Sequence, residues 1–170
     1  FHILKSAYRD DMIRKGDIIA EATSGNTGIS FAAIGHAFGN PVHVFMPEWM
    51  SKERIALIKS YGADVTLVSH EQGGFLGSIE MADAFKYEHR RVFLPHQFSN
   101  LANAEAHYLT TGPEIWEQLE KVGFEPDAFV AGVGTGGTIM GTAAYLREKN
   151  PEIKLHPLEP LESPTLSTGH

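Results

Sequence analysis

The chain has 170 residues, enough for one ordinary domain or parts of two, and 42% hydrophobic with 21% charged residues is the balance of a folded soluble protein. A formal net charge of −7 leaves no basic stripe to meet nucleic-acid phosphates, and the lack of cysteine excludes disulfides, a thiol nucleophile and thiolate metal ligands. No apolar run approaches the roughly 20 residues needed to span a bilayer, and a chain without thiols fits a reducing, cytoplasmic compartment.

Phe1, Ile3, Leu4, Ala7, Tyr8 and Met12 recur at helical spacing and predict a helix over 1–14, with Gly16 as its stop. Ile18 to Ala22 is a short apolar run suited to a buried strand. The turn Thr23-Ser24-Gly25-Asn26-Thr27-Gly28 follows, and an uncharged helix is expected from Thr27 to Phe38. Strand, Gly-rich turn, helix leaves backbone N–H groups at a helix start where an anion can be held, and the hydroxyls and amide add side-chain donors. The plainer reading, a tight connection rich in turn-forming residues, fits the same local pattern.

A strand at 42–46 comes next, then a helix N-capped by Ser51 and closed by Gly62, a strand at 64–68 and a helix at 73–87 with Phe75, Ile79, Met81, Ala82 and Phe85 on one face. Val92 to Leu94 is a short strand, 95–103 a polar loop, and a helix or helix pair runs from Ala104 to Leu119 with Pro113 in a first turn. Strands at 129–133 and 153–158 flank a helix at 139–149. This alternation predicts an α/β fold: parallel sheets with helices on both faces.

The second Gly-rich turn, Gly132-Val133-Gly134-Thr135-Gly136-Gly137, fits G-x-G-x-x-G between a strand and a helix, and Glu159 stands where a ribose-binding acid would. It equally suits a single phosphate held by backbone N–H groups and the hydroxyls of Thr135 and Thr138. A Walker loop is excluded because no lysine follows the last glycine. None of the nine histidines stands in H-x-H or H-E-x-x-H spacing, so no metal site is expected.

Taken together, these turns become specific. Glu21–Gly28, Met46–Arg54, Tyr61–Asp64, Gln97–Asn100, His107–Trp116 and Gly132–Thr138 resemble, in order, the cysteine synthase and cystathionine β-synthase family, pyridoxal-phosphate enzymes of the tryptophan-synthase-β fold. The resemblance implies pyridoxal 5'-phosphate as cofactor, with Asn26 on its phenolic oxygen and Gly134, Thr135, Gly136, Gly137 and Thr138 around its phosphate. It implies that Thr23, Ser24, Gly25 and Thr27, with Gln97, bind the carboxylate of an amino-acid substrate.

The implied reaction is β-replacement on an activated serine such as O-acetylserine, giving cysteine through an aminoacrylate, by an enzyme that works as a homodimer. Cystathionine β-synthase chemistry is the alternative within the family. A nicotinamide-dependent oxidoreductase using the Gly132–Gly137 turn and Glu159 is the alternative from another class. The resemblance places 1–100 in a smaller N-terminal domain and 101–170 at the start of a larger cofactor domain. It expects the Schiff-base lysine before Phe1 and a hydroxyl residue for the pyridine nitrogen after His170, so an isolated 1–170 polypeptide is expected to be inactive. Lys5 is read as an exposed helix residue, not a substitute. Leu101 and Ala104 depart from the family, which usually has prolines there.

Overall fold

The computed structural model describes residues 1–162 and 164–168, which form two compact units, one of residues 3–96 and the other beginning at Gln97. The first unit carries α1 (His2–Arg9), β1 (Ile18–Ala22), α2 (Asn26–Phe38), β2 (Val42–Pro47), α3 (Lys52–Ser60), β3 (Asp64–Val68), α4 (Gly74–Glu88) and β4 (Val92–Phe93). Its sheet runs β3-β2-β1-β4 with every pairing parallel, Ile19 opposite Val42, Val44 opposite Val65 and Ile18 opposite Val92.

Both faces of this sheet are covered, which is why its strands read as apolar runs. Side chains alternate across a strand, so Ile19, Val42, Val44 and Met46 join Leu4, Ile13, Phe31 and Ile58 in one buried cluster. Ala20, Ala22 and Phe45 face the other way, against Ala82, Ile79 and Phe85 of α4. β1 lies between β2 and β4, paired on both edges, so the residues that follow it start from a fixed point.

The helix expected over 1–14 stops at Arg9. Asp10 N–H donates to the Ser6 carbonyl at 2.9 Å and Asp11 takes φ +58°, turning the chain away. Met12, expected on the apolar face, is 65% exposed, and Ile13 is buried instead. The stop is imposed from further along the sequence. The Asp17 carboxylate accepts Arg14 N–H at 2.8 Å, and the amide of Asn40, itself 3% exposed, donates to the carbonyls of Arg14 and Asp17, each at 2.8 Å. The Tyr8 hydroxyl donates to the Asn40 side-chain oxygen and completes the knot.

The second unit carries α5 (Leu101–Leu109), α6 (Thr111–Lys121), β5 (Ala128–Gly132), α7 (Gly137–Lys149), β6 (Lys154–Leu158) and α8 (Thr165–Thr168). β5 and β6 pair in parallel, Ala128 opposite Lys154 and Gly132 opposite Leu158. The polar loop expected to reach residue 103 ends at Asn100, whose side-chain oxygen accepts Ala102 N–H at 3.0 Å and caps α5 three residues before the expected helix. The helix pair breaks at Thr110, and Pro113 sits in the first turn of α6. α8 was not expected from the sequence. The remaining elements match their expected ranges within one or two residues, the ordinary uncertainty of an element end. Among the described residues no helix is long and apolar enough to cross a membrane.

Candidate active site

The first turn grows from the buried end of β1. The parallel ladder continues one residue past the strand, since Thr23 N–H donates to the Phe45 carbonyl at 3.0 Å. Thr23 is 3% exposed, and its hydroxyl oxygen accepts Gly25 N–H at 3.2 Å, closing a small loop. Gly25 has φ +157° and ψ −82°, a combination that L side chains rarely adopt. The first helical bond of α2 runs from Ile29 N–H to the Gly25 carbonyl at 3.0 Å. The N–H groups of Asn26, Thr27 and Gly28 precede it and have no acceptor inside the helix, so with the helix dipole they make an anion-binding end. Ser24 and Asn26 are exposed there and Thr27 is half-buried.

Two further residues shape this turn. A Cβ on Gly28 would lie 2.7 Å from Thr23 Cγ2, so only glycine lets α2 close onto the strand. Arg54 of α3 lays its stem across the turn: a Cβ on Gly25 would be 2.7 Å from Arg54 Cδ, and Arg54 Nη1 donates to the Ser24 carbonyl at 3.4 Å. The sequence placed Arg54 in a matching stretch without giving it work. Glu21, in the same position, is a buried carboxylate just under the turn, and its Oε1 accepts Ala22 N–H at 3.0 Å.

The second turn joins β5 to α7. Gly136 caps the helix with φ +83°, and Met140 N–H donates to its carbonyl at 2.9 Å. The Thr135 hydroxyl oxygen accepts Gly137 N–H at 3.3 Å and Asn103 Nδ2–H at 2.7 Å, while the same Asn103 nitrogen donates to the Gln97 carbonyl at 3.0 Å. Gln97, expected to meet a carboxylate through its side chain, is buried and linked through its backbone to this turn. The Thr138 hydroxyl lies 3.2 Å from His107 Nε2, and His107 Nδ1 lies 2.9 Å from the Thr111 hydroxyl. Burial pushes the His107 pKa below its ordinary value, which favours the neutral ring.

Glycines make this contact network possible. A Cβ on Gly137 would meet Asn103 Oδ1 at 2.5 Å, and one on Gly141 would meet the Ala104 carbonyl oxygen at 1.9 Å, so α5 and α7 approach closely only without side chains there. A Cβ on Gly134 would meet nothing within 4 Å. Beside it lies a cavity of about 440 Å³ lined by Gly132, Val133, Gly134, Leu158, Glu159 and Pro160, with no cationic side chain. Glu159 is occupied elsewhere: its oxygens accept Leu166 N–H at 2.6 Å, Ser167 N–H at 3.1 Å and the Ser167 hydroxyl. Those bonds, the Ser167 hydroxyl foremost, hold its pKa below the usual carboxylate value. The nicotinamide alternative thereby loses its ribose-binding acid to α8.

Each turn offers N–H donors at a helix start, the first with hydroxyls and an amide beside them and the second with five consecutive Gly and Thr residues, and each is chemistry suited to holding an anion. The family of pyridoxal-phosphate dependent enzymes matches the chain over residues 1–170. The chain belongs to that family.

Within this pyridoxal-phosphate family, it is 46% identical to a cysteine synthase of Staphylococcus aureus over 167 residues, 98% of this chain and 53% of the relative. A solved hydrogen sulfide-producing enzyme of Fusobacterium nucleatum superposes with a TM-score of 0.95 at 53% identity, covering 99% of this chain and 51% of that one. The cysteine synthase of Entamoeba histolytica superposes at 0.89 with 38% identity, covering 99% and 48%. The chain thus spans about half the length of the curated relatives it matches.

The residues present fit the family's cofactor. The cradle at α7 presents backbone N–H groups with no cation, which suffices because aligned peptide dipoles favour an anion. Thr135 accepts two bonds from within the protein, so its hydroxyl proton is the part left to give. Lys5 is exposed on α1, as expected.

Proposed function

We propose that the protein carrying this chain catalyses β-replacement on an activated serine, of the O-acetylserine type, to form cysteine. The observation that supports this best is the Thr23–Thr27 turn, hydroxyls and amides at a helix start after a buried strand, in a chain similar from end to end to cysteine synthases. In this reading Thr23, Ser24, Gly25 and Thr27, with Gln97, bind the substrate's carboxylate. Asn26 faces the cofactor ring, and Gly134, Thr135, Gly136, Gly137 and Thr138 hold its phosphate. Pyridoxal phosphate, when bound, supplies an electron sink for a carbanion at the amino acid's α-carbon.

The chain's own residues do the rest by position. Amide and hydroxyl donors at the start of α2 fix the carboxylate, which orients the Cα–H and Cβ–leaving-group bonds. The buried strand beneath keeps those donors from relaxing, so little reorganisation accompanies binding. Residues 1–100 act as the smaller N-terminal domain and 101–170 as the start of the larger one. The complete enzyme is a cytoplasmic homodimer, which light scattering coupled to size exclusion checks.

The test uses the full-length protein with pyridoxal phosphate. Adding O-acetylserine shifts the cofactor's absorption band, and sulfide then yields cysteine. A protein that takes up no cofactor, or takes it up and forms no cysteine, refutes the proposal. A second reading is favoured by the 53% identity to the sulfide-producing enzyme of Fusobacterium nucleatum: the same site acting on cysteine, with the Cβ–S bond broken to release sulfide and water or a second thiol taking its place at Cβ. Sulfide release from cysteine alone, faster than cysteine formation from O-acetylserine, decides for that direction.

A further inference from the structure

We propose that His107, as its Nε2–H tautomer, and Asn103 together hold the hydroxyls of Thr138 and Thr135 as donors aimed at an anion at the start of α7, an inference that rests on the pyridoxal-phosphate reading of that turn. Neither residue belongs to the Gly-Thr turn itself. Both come from α5, which the glycines of α7 allow to lie close.

For Thr135 the bonding leaves no choice. A hydroxyl has one proton and two lone pairs. Asn103 Nδ2 also lies 3.0 Å from the Gln97 carbonyl, which can only accept, so this end of the amide is the NH2 group. Its second proton goes to Thr135 Oγ1 at 2.7 Å, and Gly137 N–H approaches the same oxygen at 3.3 Å. Both lone pairs are taken, and Thr135 can only give its proton away.

For Thr138 the outcome depends on one proton. A neutral imidazole has one N–H and one bare nitrogen. With the proton on Nε2, His107 donates to Thr138 across 3.2 Å and its Nδ1 accepts the Thr111 hydroxyl across 2.9 Å. Thr138 then keeps its own proton for the anion, and donation runs one way from Thr111 through His107 to Thr138. With the proton on Nδ1, Thr138 spends its hydrogen on Nε2 and turns lone pairs toward a phosphate, which repels it. His107 is therefore a positioning residue: it touches no ligand but decides whether Thr138 can.

The experiment takes full-length protein labelled with 15N-histidine and loaded with pyridoxal phosphate. Long-range 1H–15N spectra at neutral pH report the tautomer, and the His107 signal is assigned by its loss in His107→Gln. The Nε2–H pattern is expected; an Nδ1–H or doubly protonated ring overturns the inference. Cofactor affinity is then compared between variants. His107→Gln can still offer an N–H toward Thr138 and stays within about twofold of the unaltered protein, whereas His107→Leu leaves the Thr138 hydroxyl without the donor that fixes its orientation and loses about fivefold, the worth of one neutral hydrogen bond. Equal affinity for the Leu variant and the unaltered protein overturns the inference. No cofactor uptake by the unaltered protein overturns the cofactor reading and this inference with it, whereas uptake with the wrong tautomer overturns the inference alone.

Discussion

Replacing Gly141 by alanine sets two effects of opposite sign against each other. Alanine is the better helix former by about 1 kcal/mol, so α7 taken alone would gain. Yet the added Cβ would lie 1.9 Å from the Ala104 carbonyl oxygen, 2.8 Å from its carbon and 2.9 Å from His107 Cβ. A backbone carbonyl cannot swing aside as a side-chain tip can, so α5 and α7 must separate by more than an ångström. Overpacking of this kind costs about 1–3 kcal/mol, here near the upper end. Separation also stretches the bonds from Asn103 to Thr135 and from His107 to Thr138, now 2.7 and 3.2 Å, each worth about 1 kcal/mol. The packing terms exceed the propensity gain, and a net loss of about 2–4 kcal/mol is expected. At 2–4 °C per kcal/mol this lowers the melting temperature by roughly 4–16 °C. Thermal unfolding followed by circular dichroism measures it. A Gly141→Ala protein melting at or above the parent temperature would refute the close-approach account of α5 and α7.

Three further outcomes follow from the first unit. Asn40→Ala strips the Tyr8 hydroxyl of its acceptor and two carbonyls of their donor at a buried point, costing about 2–4 kcal/mol; a urea midpoint within experimental error of the parent's contradicts this. Gly25→Ala forces a side chain into φ +157° and against Arg54 Cδ, costing about 1–3 kcal/mol. Adding Arg54→Ala to it relieves the collision but not the backbone strain, so only part of the loss returns, and full recovery would show that strain is absent.

The third concerns acid. His43 stacks on Phe45 and lies tilted against Phe85, with ring centroids 4.7 Å apart in each pair, and burial lowers its pKa, with Asp64 pulling the other way and His89 adding to the depression. Below about pH 6.5 the unfolded chain takes up a proton that the folded state resists, so stability falls on acidification and is level above neutrality. His43→Phe shrinks that slope between pH 8 and 5; an unchanged slope assigns it to other groups.

How much of this was legible beforehand differs by element. β1 and β3 stand where the residues put them, because a short apolar run between turn residues leaves a strand little freedom. The first helix was overestimated because spacing cannot see a knot tied by Asn40, 26 residues from Arg14 in the chain. The start of α5 was readable, since Asn100 is a good cap, but two asparagines within four residues looked like loop. Both Gly-rich turns announced themselves by composition. Their supports did not: Arg54 lies 30 residues from Ser24, and His107 lies 31 from Thr138. Glu159 looked like a ribose ligand because the helix that claims it, α8, carries no periodic signal in four residues.

Arg54 bears on more than its own bond. Its methylenes fill the place where a Gly25 side chain would stand, while its guanidinium holds the Ser24 carbonyl. The bend after β1 and the opening residues of α3 are therefore one mechanical part, joined like a hinge leaf to its pin. Lys52 and Glu53, exposed in the first turn of α3, directly precede the arginine that closes over the bend.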